Sequence, residues 1–86
     1  MAKVEIYSSA LCGFCHAAKR LLAGKDVEFT EYSVDGRMDV REQMINRAGG
    51  RTSVPQIFID DRHVGDFADL AELDMDDELD PLLGKD

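Results

Sequence analysis

The chain predicts an α/β fold, with a four-stranded mixed β-sheet and three flanking helices in the order βαβαββα. Three observations carry that expectation. Four short runs are rich in strand formers, and three stretches place apolar residues at helical spacing between or after them. Glycines and an Asp-Gly pair punctuate the joins. At 86 residues, 44% apolar and 33% charged, the chain has room for one modest core and reads as a single domain over residues 1–86.

Val4-Glu5-Ile6-Tyr7 is the first strand, followed by a loop from Ser8 to Leu11. A helix is expected over about residues 13–23, with Ala17, Ala18, Leu21 and Leu22 as its apolar stripe and Gly24 as its stop. Val27 and Phe29 open a second strand, which Tyr32 and Val34 continue with the opposite parity. That slip predicts a bulge or burial on both faces. After the Asp35-Gly36 turn, a second helix is expected over about residues 40–48. Val40, Met44, Ile45 and Ala48 share one side of it, and Asp39 with Glu42 has the spacing of a capping box. Gln56-Ile57-Phe58-Ile59 is the most apolar strand and belongs in the sheet centre. Asp60-Asp61-Arg62 turns the chain into a fourth strand at His63-Val64. Residues 68–73 fit a third helix with Leu70 and Leu73 inward, and Leu79, Leu82 and Leu83 of the tail are expected to clip onto the core. A βαβ unit followed by a hairpin and a helix places helices on both faces of the sheet.

The net charge of -8 is unevenly spread. Residues 1–59 hold eight Lys/Arg against seven Asp/Glu, and residues 60–86 hold two against eleven. Such an acidic chain repels nucleic acid and anionic membranes alike. No apolar run reaches membrane-spanning length, and the N-terminal residues enter a strand without a signal-peptide stretch, so the expected location is cytoplasmic. The acidic segment from Asp74 to Asp80 reads as a solvated face, with selection of basic target proteins as its functional reading.

The chemistry lies at Cys12 and Cys15, the only cysteines, placed where the first strand pattern gives way to a helix. A helix start offers unpaired N–H groups and the positive end of the helix dipole, which favour a thiolate over a thiol. In a reducing compartment such a pair is redox-active or metal-binding rather than a structural staple. Zinc needs four ligands, and His16 and His63 lack tetrahedral spacing with the pair, so no metal is expected. CxxC beside a βαβ pattern reads as a thioredoxin-like redox motif. Thr52-Ser53-Val54-Pro55-Gln56 sharpens it. A proline directly before a central strand marks a forced geometry, for which a cis Val54–Pro55 bond is the expected reason. The Val54 backbone would then be free to pair with a cysteinyl substrate as a short antiparallel strand. His16 is expected to be solvated and His63 to sit on an edge strand.

Three segments together resemble the glutaredoxin family: Cys12-Gly13-Phe14-Cys15-His16 with Lys19, Thr52-Ser53-Val54-Pro55-Gln56-Ile57-Phe58-Ile59, and His63-Val64-Gly65 with Asp69-Leu70. The similarity runs through essentially all 86 residues. It implies a thioredoxin-like fold and a glutathione-dependent oxidoreductase. Such a protein reduces protein disulfides and protein–glutathione mixed disulfides, as a monomer maintaining cell redox homeostasis. Residue by residue, the resemblance implies Cys12 as nucleophile and Cys15 as resolving thiol. Phe14 takes the place of the family's usual tyrosine beside glutathione. Ser53, Val54 and Pro55 would lie along the tripeptide, and the Ala68 backbone and Asp69 would receive its γ-glutamyl end. Arg37 or Arg41 would meet its glycine carboxylate, and Lys19 is at most a distant helper of Cys12.

The chain departs from the family pattern at four places. Ser9 stands where many members carry lysine, Gly13 replaces the active-site proline, Asp66 replaces a second glycine, and Ala68 replaces an acidic residue. Asp66 adds negative charge near an anionic ligand, so a weaker grip on glutathione or on the thiolate is expected. Gly13-Phe14 also resembles relatives with Cys-Gly-Phe-Ser, in which two subunits share a [2Fe–2S] cluster through one cysteine each and two glutathiones. A thioredoxin-like electron donor served by a flavoprotein reductase is the remaining alternative.

Overall fold

The computed structural model describes residues 2–85. Its sheet is built outward from two strands that are buried along their whole length. These are β1 (Val4–Ser8) and β3 (Gln56–Ile59). β2 (Thr30–Ser33) pairs parallel with β1, and β4 (Arg62–Gly65) pairs antiparallel with β3, giving the order β2-β1-β3-β4. Parallel β1 and β2 need a crossover, which α1 (Gly13–Gly24) supplies. Alternation along the central strands then splits the core in two. On one face Val4, Ile6, Ile57 and Ile59 pack with Ala18 and Leu22 of α1, with Leu70 of α3 (Phe67–Met75), and with Leu79 and Leu83. On the other, Tyr7 and Phe58 meet Met44 and Ala48 at α2 (Met38–Arg47) together with Val34. The expected mixed sheet with helices on both faces is what the chain forms.

Several local expectations change. Val27 and Phe29 precede β2 rather than opening it, and the β1–β2 register runs without a bulge. They pack onto the first core from a loop, whereas Tyr32 packs from the strand onto the second, so the parity slip marks an element boundary. The sheet's irregularity lies instead between Ile57 and Phe58, in the β3–β4 pairing. The capping box proposed for Asp39 and Glu42 is absent. α2 starts after Arg37, whose side chain makes no cap and instead donates to the Asp39 carboxylate at 2.9 and 3.1 Å. A capping box does form at α3, between Asp66 and Asp69.

The tail adds a fourth helix of one turn, α4 (Leu79–Leu82), with Leu79 fully buried as the expected clip. Lys25, at the end of α1, bridges Asp74 at 2.6 Å and Asp80 at 2.9 Å. Part of the acidic segment therefore ties α3 and α4 back to α1.

One charged pair lies against the second core. Glu5 is 4% exposed within β1, and Arg47 holds it with Nη2–Oε1 at 2.9 Å while Tyr32 donates to Oε2 at 2.9 Å. The Arg47 guanidinium sits 4.1 Å from the Phe58 ring centre. The bond from Arg47 draws the Glu5 carboxyl below its ordinary value, burial opposes this, and Tyr32 reinforces it. A depressed carboxyl stabilises the fold above its unfolded value, and that stability is lost as pH falls through the folded one. In urea unfolding, Glu5→Gln should cost about 1–3 kcal/mol at neutral pH, and its gap from the parent should close as pH drops below about 4.5. Leu79→Ala, measured the same way, should lose about 2–5 kcal/mol, since its side chain fills a core that the rest of the chain closes around.

Candidate active site

Cys12 is the N-cap of α1, with extended backbone (φ -111°, ψ 109°), and its sulfur accepts the Cys15 N–H at 3.1 Å. The usual occupant of this position is the oxygen of Ser, Thr, Asp or Asn, so the sulfur stands where a helix start receives an acceptor. The helix dipole also favours an anion there, and no acidic residue in the first turn opposes it. Cys15 lies one turn in and is fully buried. Burial, and next the contact with the Cys12 sulfur, pushes its thiol up to about 12; a backbone bond at Ser9 acts in the opposite sense. The two sulfurs are thereby sorted, one partly exposed at the helix mouth and one kept protonated behind it.

The loop before Cys12 is held at Ser9 and Ala10. Asp35, after β2, accepts Ser9 Oγ at 2.6 Å and the Ala10 N–H at 2.9 Å, and these two bonds lower its carboxyl below the ordinary value. His16 Nε2 lies 2.8 Å from the Ala10 carbonyl, so the imidazole is tied to the same loop rather than merely solvated. Lys19 is paired with Glu31 at 2.8 Å and is not brought to Cys12.

Opposite the helix mouth, the Val54–Pro55 bond is cis, and the Val54 carbonyl oxygen lies 3.7 Å from Cys12 Sγ. A cavity of about 250 Å³ opens beside it, lined by Phe14, Ser53, Val54, Pro55, Asp66, Phe67 and Ala68. Phe14 and Phe67 stack at 6.1 Å between centroids with planes 23° apart and form one wall. The structure thus gathers Phe14, Ser53, Val54, Pro55 and Ala68 around one cleft next to Cys12. Asp69 stands behind it, accepting the Asp66 N–H at 3.0 Å and Arg51 Nη1 at 3.1 Å.

Arg51, which sequence reasoning did not single out, also reaches Asp66 at 3.1 Å and so clamps two carboxylates. The sequence carried no clear signal for it, because acids at i and i+3 of a helix start are already served by free backbone N–H groups and the helix dipole. A Cβ at Gly65 (φ +123°) would run into the Asp69 carboxylate, so this cluster needs glycine there. Of the two arginines considered, Arg37 is engaged with Asp39, while Arg41 donates to the Thr52 carbonyl at 3.2 Å beside the cleft loop. Around Gly13 there is open space where a side chain would stand. Among the described residues no three His, Cys, Asp or Glu side chains converge as a metal site, and no helix is long and apolar enough to cross a membrane.

A profile of the family described as Glutaredoxin matches residues 4–64. The chain belongs to the glutaredoxin family. It is 54% identical over 83 residues to Glutaredoxin 3 of Escherichia coli strain K12, spanning 96% of this chain and 99% of that protein. The solution structure of a glutaredoxin from Brucella melitensis superposes with a TM-score of 0.84 at 42% identity, over 96% of this chain and 89% of that one. A crystal structure of a buckwheat glutaredoxin–glutathione complex shares the fold, with a TM-score of 0.87 at 23% identity, over 96% of this chain and 77% of that one. As a glutaredoxin, with a thioredoxin-like fold, the chain is a thiol–disulfide oxidoreductase.

The burial contrast between the thiols gives a direct check. At pH 8 a thiol pushed up to about 12 is ionised to only about one part in ten thousand. Iodoacetamide applied to the folded, reduced glutaredoxin should therefore label Cys12 and spare Cys15, as read by peptide mass mapping. Denaturation in guanidinium should make both react.

Proposed function

We propose that this glutaredoxin takes its electrons from glutathione and acts on protein–glutathione mixed disulfides and on protein disulfides. The observation that carries the reading is the Cys12 sulfur, capped by the Cys15 N–H and 3.7 Å from the Val54 carbonyl at the edge of an aromatic-walled cleft. The glutathione held by the buckwheat relative supports the choice of thiol.

In the first step the Cys12 thiolate attacks the glutathione sulfur of a mixed disulfide. The Cys12–glutathione S–S bond forms as the old one breaks, and the target leaves as a thiolate that takes up a proton. A second glutathione, as thiolate, attacks that sulfur, regenerates the Cys12 thiolate and departs as glutathione disulfide. In the dithiol branch Cys12 attacks a protein disulfide, and Cys15, losing its proton, displaces the second target thiolate and closes a Cys12–Cys15 bridge. Two glutathiones then return the pair to dithiol and leave as glutathione disulfide.

In this reading Phe14 lies against the tripeptide, and the Val54 backbone pairs with its cysteinyl residue between Ser53 and Pro55. The Ala68 backbone and Asp69 face its γ-glutamyl end, and Arg41 rather than Arg37 meets the glycine carboxylate. The protein acts as a cytoplasmic monomer, residues 1–86 forming one domain. The [2Fe–2S] alternative has the open space at Gly13 in its favour. It would draw on Cys12 alone from each of two chains, and Cys15 competes with it by offering an internal disulfide.

Coupled to glutathione reductase and NADPH, the protein should turn over a glutathionylated peptide. Cys12→Ser should lower that rate by at least about 100-fold. Cys15→Ser should keep mixed-disulfide turnover within about threefold while losing reduction of a protein disulfide. Coupling to thioredoxin reductase and not to glutathione reductase would overturn the assignment of glutathione. A coloured dimer formed on anaerobic reconstitution with iron, sulfide and glutathione, in a protein without turnover, would transfer the assignment to the cluster carrier.

A further inference from the structure

Gln56 is fully buried at the head of β3, and nothing in the sulfur chemistry uses its side chain. Its Nε2 lies 2.9 Å from the Ser53 carbonyl oxygen and 3.4 Å from Ser53 Oγ, and its Oε1 lies 2.6 Å from His63 Nε2 on β4. A carbonyl oxygen only accepts, so the amide nitrogen must be the atom that faces Ser53. Oε1 then faces the imidazole, which requires His63 to carry a proton on Nε2. The ring is packed against Phe58 with centroids 5.1 Å apart, which fixes the direction of that donor. Burial first, then the charge of Arg51, lowers the His63 pKa, while Asp69 opposes them. A bonded chain therefore runs from the edge strand, through a buried amide, into the loop that faces Cys12.

Its effect follows from the planarity of the peptide unit. The Ser53 carbonyl and the Val54 N–H belong to one trans peptide and point in opposite directions. Drawing the Ser53 oxygen inward to Gln56 turns the Val54 N–H outward. Among the described residues no acceptor takes that N–H. The carbonyl of the same residue is the one 3.7 Å from Cys12 Sγ. A donor and an acceptor on one residue at the lip of a cleft are what a short antiparallel peptide needs in order to pair.

We propose that Gln56, anchored by His63, is a positioning residue that sets the Val54 backbone edge on which the cysteinyl part of the substrate docks. It touches neither sulfur nor substrate and acts only through the Ser53–Val54 peptide. The inference rests on the reading of Val54 as the substrate edge.

The test uses the full chain, a glutathionylated peptide as substrate, and three variants. Gln56→Met keeps volume and removes the amide. His63→Phe keeps a ring over Phe58 and removes the donor. The third combines both. Each lost bond should raise KM for the peptide about threefold to tenfold with kcat within about twofold. Alkylation of Cys12 by iodoacetamide, which needs no docking edge, should keep its rate. Because the two side chains act in series, the double variant should match Gln56→Met alone within about twofold. Effects that multiply, or a fall in kcat at constant KM, would overturn the proposal. If Gln56→Met does not fold, His63→Phe decides by itself, and an unchanged KM overturns it. Should the parent protein fail to turn over the peptide, the functional reading falls. Should the parent succeed while every folded variant keeps its KM, the positioning role alone falls.

Discussion

The hydrogen bond from the Cys15 N–H to the Cys12 sulfur is the constraint around which the molecule is arranged. It exists only if α1 begins at Gly13, so that Cys12 keeps an extended backbone and Cys15 falls in the first turn. The start is enforced from outside the helix. Asp35 and His16 hold Ser9 and Ala10, and Asp35 can do so because β2 runs parallel to β1 and delivers its following turn to the same end of the sheet. β3, the other central strand, brings the Val54 carbonyl to the opposite side of the sulfur. Sheet order and site geometry are thus one fact. A parallel neighbour on one side of β1 and an antiparallel neighbour on the other bring three loops to a single edge.

The far end of the cleft is organised by charge rather than by sulfur. Arg51 lies between Asp66 and Asp69, and each acid also takes the other's backbone N–H. The bond from the Asp66 backbone, ahead of the contacts with Arg51, lowers the Asp69 carboxyl, so it stands ionised at neutral pH. One cation faces two carboxylates, and the local balance stays negative. An anionic ligand approaching this end meets that field, partly neutralised by a guanidinium that the cluster already holds. This is the physical content of the weaker grip expected from Asp66, with Arg51 limiting its size.

What could be read from the sequence divides along the same lines. Cys12, Cys15, Pro55 and β3 were legible because each rests on local chemistry: a sulfur at a helix start, a proline that cannot join a ladder, an unbroken apolar run. Gly24 likewise announced where α1 stops. The start of β2 was not legible, because Val27 and Phe29 are apolar for the sake of a core they reach from a loop, and periodicity does not tell loop from strand. Asp39 and Glu42 had the spacing of a cap, but Arg37 competes for Asp39 and wins. Lys19 shares the α1 face with Cys12, yet Glu31, from a strand twelve residues on, takes its charge. Arg51 was missed because its partners, Asp66 and Asp69, lie at the start of α3. His63 was legible as an edge-strand residue, but its bond to Gln56 depends on the irregular β3–β4 register, which no local pattern sets.

The burial of Cys15 has a kinetic side. The first cause of its raised pKa is the protein around it, and the Cys12 sulfur comes second. Once Cys12 is tied up in a mixed disulfide, the second cause weakens and the first remains. In the proposed cycle Cys15 must then lose a proton while buried before it can displace anything. A glutathione arriving from solvent carries no such burden, because its thiol ionises in water. In the proposed cycle this burial would slow the internal closure without removing it, and the outcome of each turnover would depend on how firmly the cleft holds its next thiol. Under that proposal the negative cluster at α3 and the sulfur pair at α1 would be linked, because a looser grip on glutathione would give the buried Cys15 more time to react.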